Sequence, residues 1–162
     1  MITGASQADA AFLTVAAKEG VQPQTKEHLW LLRTMGVAQV NVLVNKMDAV
    51  EYKEDAYKKT VADVSVILKQ VGINPEKVKF LAISAFLGDN IVKKSDKMPW
   101  YNGPTLMEML DLLEEPKKPT GLPMRMPLQD VYEITGIGTV PVGKIETGIM
   151  KVGQKIIILP GR

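Results

Sequence analysis

The chain has 162 residues, no cysteine, and 20 basic against 18 acidic side chains, a formal net charge of +2. That near-balance creates no field strong enough to argue nucleic-acid binding by itself, and the lack of thiols excludes a disulfide framework and thiolate metal sites. With 46% hydrophobic residues and a mean hydropathy of +0.02, the sequence can build a core rather than stay disordered. No basic segment followed by a long apolar run opens it, and its apolar stretches are strand-sized, well short of the roughly 20 residues that span a bilayer. A soluble, cytoplasmic protein with no membrane partner is expected.

Residues 10–16 form a nearly continuous apolar run, the pattern of a strand buried on both faces. Gly20 and Pro23 interrupt the chain. Residues 25–35 carry Leu29, Leu32 and Met35 at helical spacing, with Thr25 as expected N-cap and Gly36 placed to end the helix. A second strand, rich in β-branched residues, is expected over 37–44, and Asn45-Lys46-Met47-Asp48 follows in a loop at its C-terminal end. Residues 52–71 read as a long amphipathic helix with a stripe of Tyr57, Val61, Val64, Leu68 and Val71, stopped by Gly72-Ile73-Asn74-Pro75. A third strand is expected over 78–83, then the loop Ser84-Ala85-Phe86-Leu87-Gly88-Asp89-Asn90, and a short capped helix over 105–114. Such alternation predicts an α/β fold, a parallel sheet with helices on its faces.

The character changes at Glu115-Pro116-Lys117-Lys118-Pro119-Thr120-Gly121, a short, charged, proline-rich stretch that reads as a linker. Beyond it no helical period appears. Strands are expected over 128–134, 139–146 and 154–159, separated by turns at Gly136, Gly148 and Gly153. The organisation expected is therefore one domain portion over 1–115, a linker over 116–121, and an incomplete second domain over 122–162. The last holds the first strands of a β-barrel that about forty residues cannot close.

In open parallel sheets, ligands bind beyond the carboxyl ends of the strands. Asn45-Lys46-Met47-Asp48 and Ser84-Ala85-Phe86 both occupy that position. Guanine presents two adjacent donors, N1–H and the 2-amino group, which one carboxylate accepts as a planar pair; Asp48 suits that task. Its O6 is an acceptor that the Ala85 amide can meet. Lys46 can lay its methylene stem along the base, and Asn45 can tie the loop together. Each motif alone is a common polar turn. Two of them, each after a strand and separated by one helix, point to nucleotide binding.

Gly138-Thr139-Val140-Pro141-Val142-Gly143-Lys144-Ile145 nearly fits the phosphate-loop pattern G-x-x-x-x-G-K-[ST]. Ile145 replaces the hydroxyl that would hold Mg²⁺, Pro141 removes an amide donor, and no helix follows to receive a phosphate at its N-terminus. The stretch is expected to be a glycine-punctuated strand. His28 has no partner at ligand spacing and reads as a structural or surface residue. Trp30 and Trp100 read as packing residues, and the lysine pairs 58–59, 93–94 and 117–118 as solvated faces.

Several stretches together resemble translation elongation factor 1-alpha, in its archaeal form, across essentially the whole chain. They are Met1-Ile2-Thr3-Gly4-Ala5-Ser6-Gln7-Ala8-Asp9-Ala10, Gln24-Thr25-Lys26-Glu27-His28, the two base-facing loops including Gly88-Asp89-Asn90, and Met98-Pro99-Trp100-Tyr101. The most specific is Leu128-Gln129-Asp130-Val131-Tyr132 through Gly136-Ile137-Gly138-Thr139-Val140-Pro141-Val142-Gly143 to Glu146-Thr147-Gly148. An archaeal source is favoured because Gly103 runs straight into Pro104-Thr105-Leu106.

The resemblance implies an internal fragment: the C-terminal half of a P-loop GTPase domain followed by the start of a truncated β-barrel, with Met1 an internal methionine. It implies guanine contacts from Asn45, Lys46, Asp48, Ser84, Ala85 and Phe86, and no catalytic residue or metal ligand in this segment. The phosphate loop and the Mg²⁺ ligands are expected upstream. The whole protein is expected to bind GTP and GDP, hydrolyse GTP, deliver aminoacyl-tRNA to the ribosome and use a nucleotide-exchange factor, while this chain alone is expected to be inactive. The GTPase subunit of sulfate adenylyltransferase resembles residues 1–114 but not the second-domain stretches. A release or rescue factor of the same class, or a non-catalytic binding protein on the same scaffold, are the alternatives.

Overall fold

The computed structural model describes residues 2–5, 8–116 and 119–160. Lys117 and Lys118 of the expected linker and solvated lysine pair lie outside the described residues, as do Met1, Ser6 and Gln7 of the opening stretch. The chain divides into two compact units, Met1–Glu115 and Pro116–Arg162.

In the first unit, a helical turn α1 (Ile2–Ala5) precedes β1 (Ala10–Ala16), α2 (Pro23–Thr34), β2 (Gln39–Asn45), α3 (Glu54–Val71), β3 (Phe80–Ala82) and α4 (Leu106–Asp111). The three strands form a parallel sheet in the order β1-β2-β3, with Leu13 opposite Val42 and Leu43 opposite Leu81. The α/β architecture matches the alternation in the sequence. Side chains on a strand alternate between faces, and β2 uses both. Val40, Val42 and Val44 join Leu29 and Leu32 of α2 and Val64, Leu68 and Val71 of α3 in one cluster. Leu43 joins Leu81, Ile83 and Met109 of α4 in the other.

The helix ends follow from local chemistry. Pro23, which has no amide hydrogen to leave unpaired, takes the first helical position of α2. Thr25 is therefore not the N-cap but lies three residues beyond it, its Oγ1 accepting from the Gln22 N–H at 3.2 Å. Gly36 at φ +75° ends the helix; the Gly36 N–H donates to the Arg33 carbonyl and the Val37 N–H to the Leu32 carbonyl, a Schellman close. Thr105 caps α4, exchanging bonds with Glu108 in a capping box.

Two expectations of burial are corrected here. β1 is not buried on both faces: Leu13 and Val15 are, but Thr14 is exposed. The six-residue α4 covers Leu43, Leu81 and Ile83 and leaves that part of β1 uncovered. Trp30 does not pack into the core, because it lies on the outer face of α2 and is 54% exposed. Trp100 does pack, with Tyr57 and Tyr101 at ring-centroid distances of 5.2 and 6.2 Å.

In the second unit, β4 (Leu128–Ile134) and β5 (Gly138–Gly143) form an antiparallel hairpin. The near-match to a phosphate loop lies in β5, where Val140 pairs with Tyr132 and Gly143 with Leu128. Residues 154–159 have no ladder partner among the described residues, so the third expected strand is not formed. An extended apolar stretch becomes a strand only when a neighbour supplies its hydrogen bonds.

Candidate functional site

A parallel sheet brings the C-terminal ends of its strands to one edge, and here that edge collects the turn after β1, the loop after β2 and the loop after β3. The ladder continues into these loops. The Ala17 N–H donates to the Asn45 carbonyl at 2.8 Å and the Met47 N–H to the Ile83 carbonyl at 3.2 Å. Asn45, expected in a loop, is the last residue of β2. The chain then turns sharply: Lys46 at φ +59° opens a 3-10 turn over Met47–Val50, and Glu51 and Tyr52 follow at +53° and +58°. Four described non-glycine residues have positive φ, the fourth being Asn90 at +57°, so three of them fall in this one loop. Such strain gathers where a backbone is held for a purpose. Met47, fully buried, anchors the turn.

The two loops are tied to each other. Asn45 Oδ1 accepts from the Lys46 N–H at 2.7 Å and from the Ala85 N–H at 3.0 Å. Ser84, fully buried, donates its hydroxyl to Asp48 Oδ1 at 2.5 Å. Asp48 Oδ2 takes no hydrogen bond among the described residues, and the carboxylate is half-buried. Asn45, Asp48, Ser84 and Ala85 thus form one polar edge with an acceptor left over. In this arrangement the Ala85 amide, expected to face O6 of a base, is engaged by Asn45. An arriving carbonyl would share or displace that bond.

Lys46 is exposed, and its ammonium pairs with Glu19 Oε1 at 3.3 Å. The Glu19 carboxyl is held below its ordinary value by its own backbone amide and then by Lys46. Glu19 sits in the turn after β1 and was not singled out from the sequence, where 27 residues separate it from Lys46. Phe86 is 90% exposed beside Leu87 at 53%.

Gly88-Asp89-Asn90 closes the second loop rather than opening into it. Ser84 and Asp89 form an antiparallel bridge, each backbone N–H donating to the other's carbonyl at 3.1 Å. Asn90, 1% exposed, donates to the Ala82 carbonyl at 2.8 Å and accepts from the Ser95 N–H at 2.8 Å. Asp89 accepts from Ser95 Oγ at 2.7 Å, Tyr52 Oη at 2.8 Å and Lys97 Nζ at 3.2 Å. Burial alone would raise the Asp89 carboxyl, but the bonds from Ser95, Tyr52 and Lys97 outweigh it and hold it below its ordinary value. Tyr57, donating to the Phe80 carbonyl at 3.0 Å, is pushed up to about 12 by burial. His28 is half-buried on α2.

Among the described residues no group of three or more histidine, aspartate or glutamate side chains is placed to hold a metal ion. No helix there is long and apolar enough to cross a membrane.

Residues 1–116 match the family described as the elongation factor Tu GTP binding domain. Over 161 residues, 99% of the chain, it is 58% identical to elongation factor 1-alpha of Methanosarcina acetivorans and 59% identical to that of Methanosarcina mazei. The chain spans 38% of the length of each of these relatives. Among solved structures, that of Sup35 complexed with GMPPNP superposes on 90% of this chain and 38% of its own, with a TM-score of 0.64 at 37% identity. The Sup35 complex with GDP gives a TM-score of 0.65.

Proposed function

The chain belongs to the elongation factor Tu GTP binding domain family, and on that premise we propose that it contributes the guanine-reading edge of a GTP-hydrolysing elongation factor 1-alpha. The observation that carries this reading is the joined pair of loops, Asn45 to Ala85 and Ser84 to Asp48, with one carboxylate oxygen left to accept. A carboxylate so held accepts N1–H and the 2-amino group of guanine together, with the geometric specificity of a paired contact. Ser84 orients Asp48, Asn45 fixes the course of both loops, and Lys46 offers its stem as a cover for the base. Phe86, exposed beside them, adds an apolar flank. The relatives' names, and the GMPPNP and GDP held by the Sup35 structures, support guanine nucleotides as the ligand class.

In this proposal the first unit is the C-terminal portion of the GTP-binding domain, and 116–121 is the link to a second domain that begins as a β-barrel. GTP would be hydrolysed by groups acting on its phosphates, through positioning and electrostatic stabilisation. This sequence has no G-x-x-x-x-G-K-[ST] loop in the required setting. The 162-residue chain by itself is therefore proposed to lack GTPase activity and to bind GTP very weakly. The whole protein would act in the cytoplasm, delivering aminoacyl-tRNA to the ribosome and recharged by an exchange factor.

Asp48→Asn in the whole protein tests the site. It replaces an acceptor oxygen by an NH₂ that faces a donor, a mismatch of about 2–5 kcal/mol in a desolvated contact. Xanthine carries a 2-oxo group where guanine carries its amine, so the variant is expected to prefer xanthosine triphosphate, and Asp48→Ala to weaken both nucleotides. Competition binding with the two nucleotides decides it; a guanine preference kept within a few-fold would remove Asp48 as the base reader.

A further inference from the structure

Tyr52 and Asp89 stand 37 residues apart, one at the end of each base-facing loop, and they meet through the 2.8 Å bond from Tyr52 Oη to Asp89 Oδ2. Around that bond the contacts form a closed circuit. The Tyr52 N–H donates to the Met47 carbonyl at 2.9 Å, closing the turn that carries Asp48. Asp89 is bridged through its backbone to Ser84, and the Ser84 hydroxyl returns to Asp48. The circuit is held from outside as well. Trp100 Nε1–H donates to the Tyr52 carbonyl at 3.0 Å. Lys97 Nζ lies 3.2 Å from both Tyr52 Oη and Asp89 Oδ2 and 5.1 Å from the centre of the Tyr52 ring. The Asp89 side chain is only 11% exposed, so its bonds are shielded from solvent competition more than those of a surface pair.

We propose that Tyr52 and Asp89, steadied by Lys97, are positioning residues: a clamp between the two loops that fixes where the Asp48 carboxylate stands. The inference rests on the reading of Asp48 as the guanine acceptor. Two features argue for a role in the site over mere stiffening. The clamp joins two loops whose side-chain ties to each other, Asn45 to Ala85 and Ser84 to Asp48, end on proposed base contacts. It also secures a backbone at φ +58°, which Tyr52 adopts at a cost that the circuit offsets. A carboxylate that must accept two parallel N–H donors tolerates little displacement, so loosening the clamp affects recognition of the 2-amino group before it affects the rest of the nucleotide.

The test compares GDP with inosine diphosphate, which lacks the 2-amino group, in the whole protein. Dissociation constants are measured for the parent, Tyr52→Phe, Asp89→Asn, the double variant and Asp48→Asn, each with its thermal unfolding midpoint. Tyr52→Phe and Asp89→Asn are expected to lower the GDP-over-IDP preference by about threefold to tenfold, the size of one charge-assisted hydrogen bond shared with water. The loss should fall on GDP, with IDP little changed, and the double variant should lose no more than the larger single one. If both variants lower the unfolding midpoint but keep the preference within twofold, while Asp48→Asn abolishes it, the clamp is structural and the proposal is overturned. If Asp48→Asn itself keeps the preference, the guanine-reading assignment has failed instead. Tyr52→Phe removes one hydroxyl and keeps the ring, so it carries the test even if Asp89→Asn fails to fold.

Discussion

The two units of this chain contain similar residues and use them differently. In the first, β2 sends apolar side chains to both faces, and helices close over each, so Val42, Val44, Val64 and Leu68 are fully buried. In the second, β4 is exposed along its whole length, and no described residue of the unit is buried. Val131, Ile137 and Ile157 stand 57%, 74% and 87% exposed. The hairpin has satisfied its backbone hydrogen bonds without gaining a core. A two-stranded sheet with nothing stacked on it is marginal in water, so hydrogen bonding shapes the second unit whereas apolar burial holds the first.

Hydrogen exchange on the 162-residue chain should show the contrast at its largest. Amides of β2 are expected to exchange more slowly than those of β4 and β5 by on the order of a thousandfold or more, the span between core strands and fraying elements. Limited proteolysis should cut within 116–121 and then degrade the C-terminal piece. Protection of β4 comparable to β2 would break the comparison.

Single truncations sharpen it. Leu68→Ala should cost about 2–5 kcal/mol in urea denaturation, because a fully buried side chain leaves a cavity. Val131→Ala should stay within about 0.5 kcal/mol, as befits an exposed position. A similar cost for both would mean that the hairpin has a core of its own under those conditions.

Asn90→Gly examines the first unit's dependence on polar burial. Glycine keeps the positive φ but removes the side chain that serves the Ala82 carbonyl and the Ser95 N–H. A loss of about 1–3 kcal/mol is expected from leaving these groups unpaired; a neutral result would show that water replaces the amide.

The smallest effect should be acid sensitivity. The Asp89 carboxyl lies below its ordinary value in the folded chain, so its stabilising contribution is complete above the ordinary carboxyl range. It is lost as the pH falls below about 4 and through the lowered value. Unfolding midpoints measured across that window should fall with acid in the parent and fall less steeply in Asp89→Asn. Equal slopes would exclude Asp89 as a contributor.

Much of the first unit was legible because its signals are local. The apolar run over 10–16 gave β1 its limits, and the glycines at 36 and 72 ended their helices with positive φ. Two polar stretches at strand ends, taken together with the fit of their groups to guanine, singled out Asn45, Asp48 and Ala85, and the family resemblance added Ser84; the parallel sheet brings these residues together. The stripe expected on α3 was close, though Thr60 and Ile67 are buried while Tyr57 and Val61 are only half-buried. The strand expected over 154–159 failed for want of a partner, and Trp30 lies outward although its composition suits a core.

By itself, then, the sequence determined the order of helices and strands in the first unit, their ends to within a few residues, and the two polar stretches that leave the ends of β2 and β3. These depend on periodicity, caps and turn residues, all within a few positions of one another. Only the tertiary structure decided that Glu19 pairs with Lys46, that Asn45 engages the Ala85 amide, and that Tyr52 reaches Asp89. Each of those bonds joins residues 27 to 40 positions apart. No local pattern encodes such a separation; it is set by strand order and by the backbone course of each loop. A hydrogen bond requires its atoms within about 3 Å, and only the folded sheet edge brings them that close.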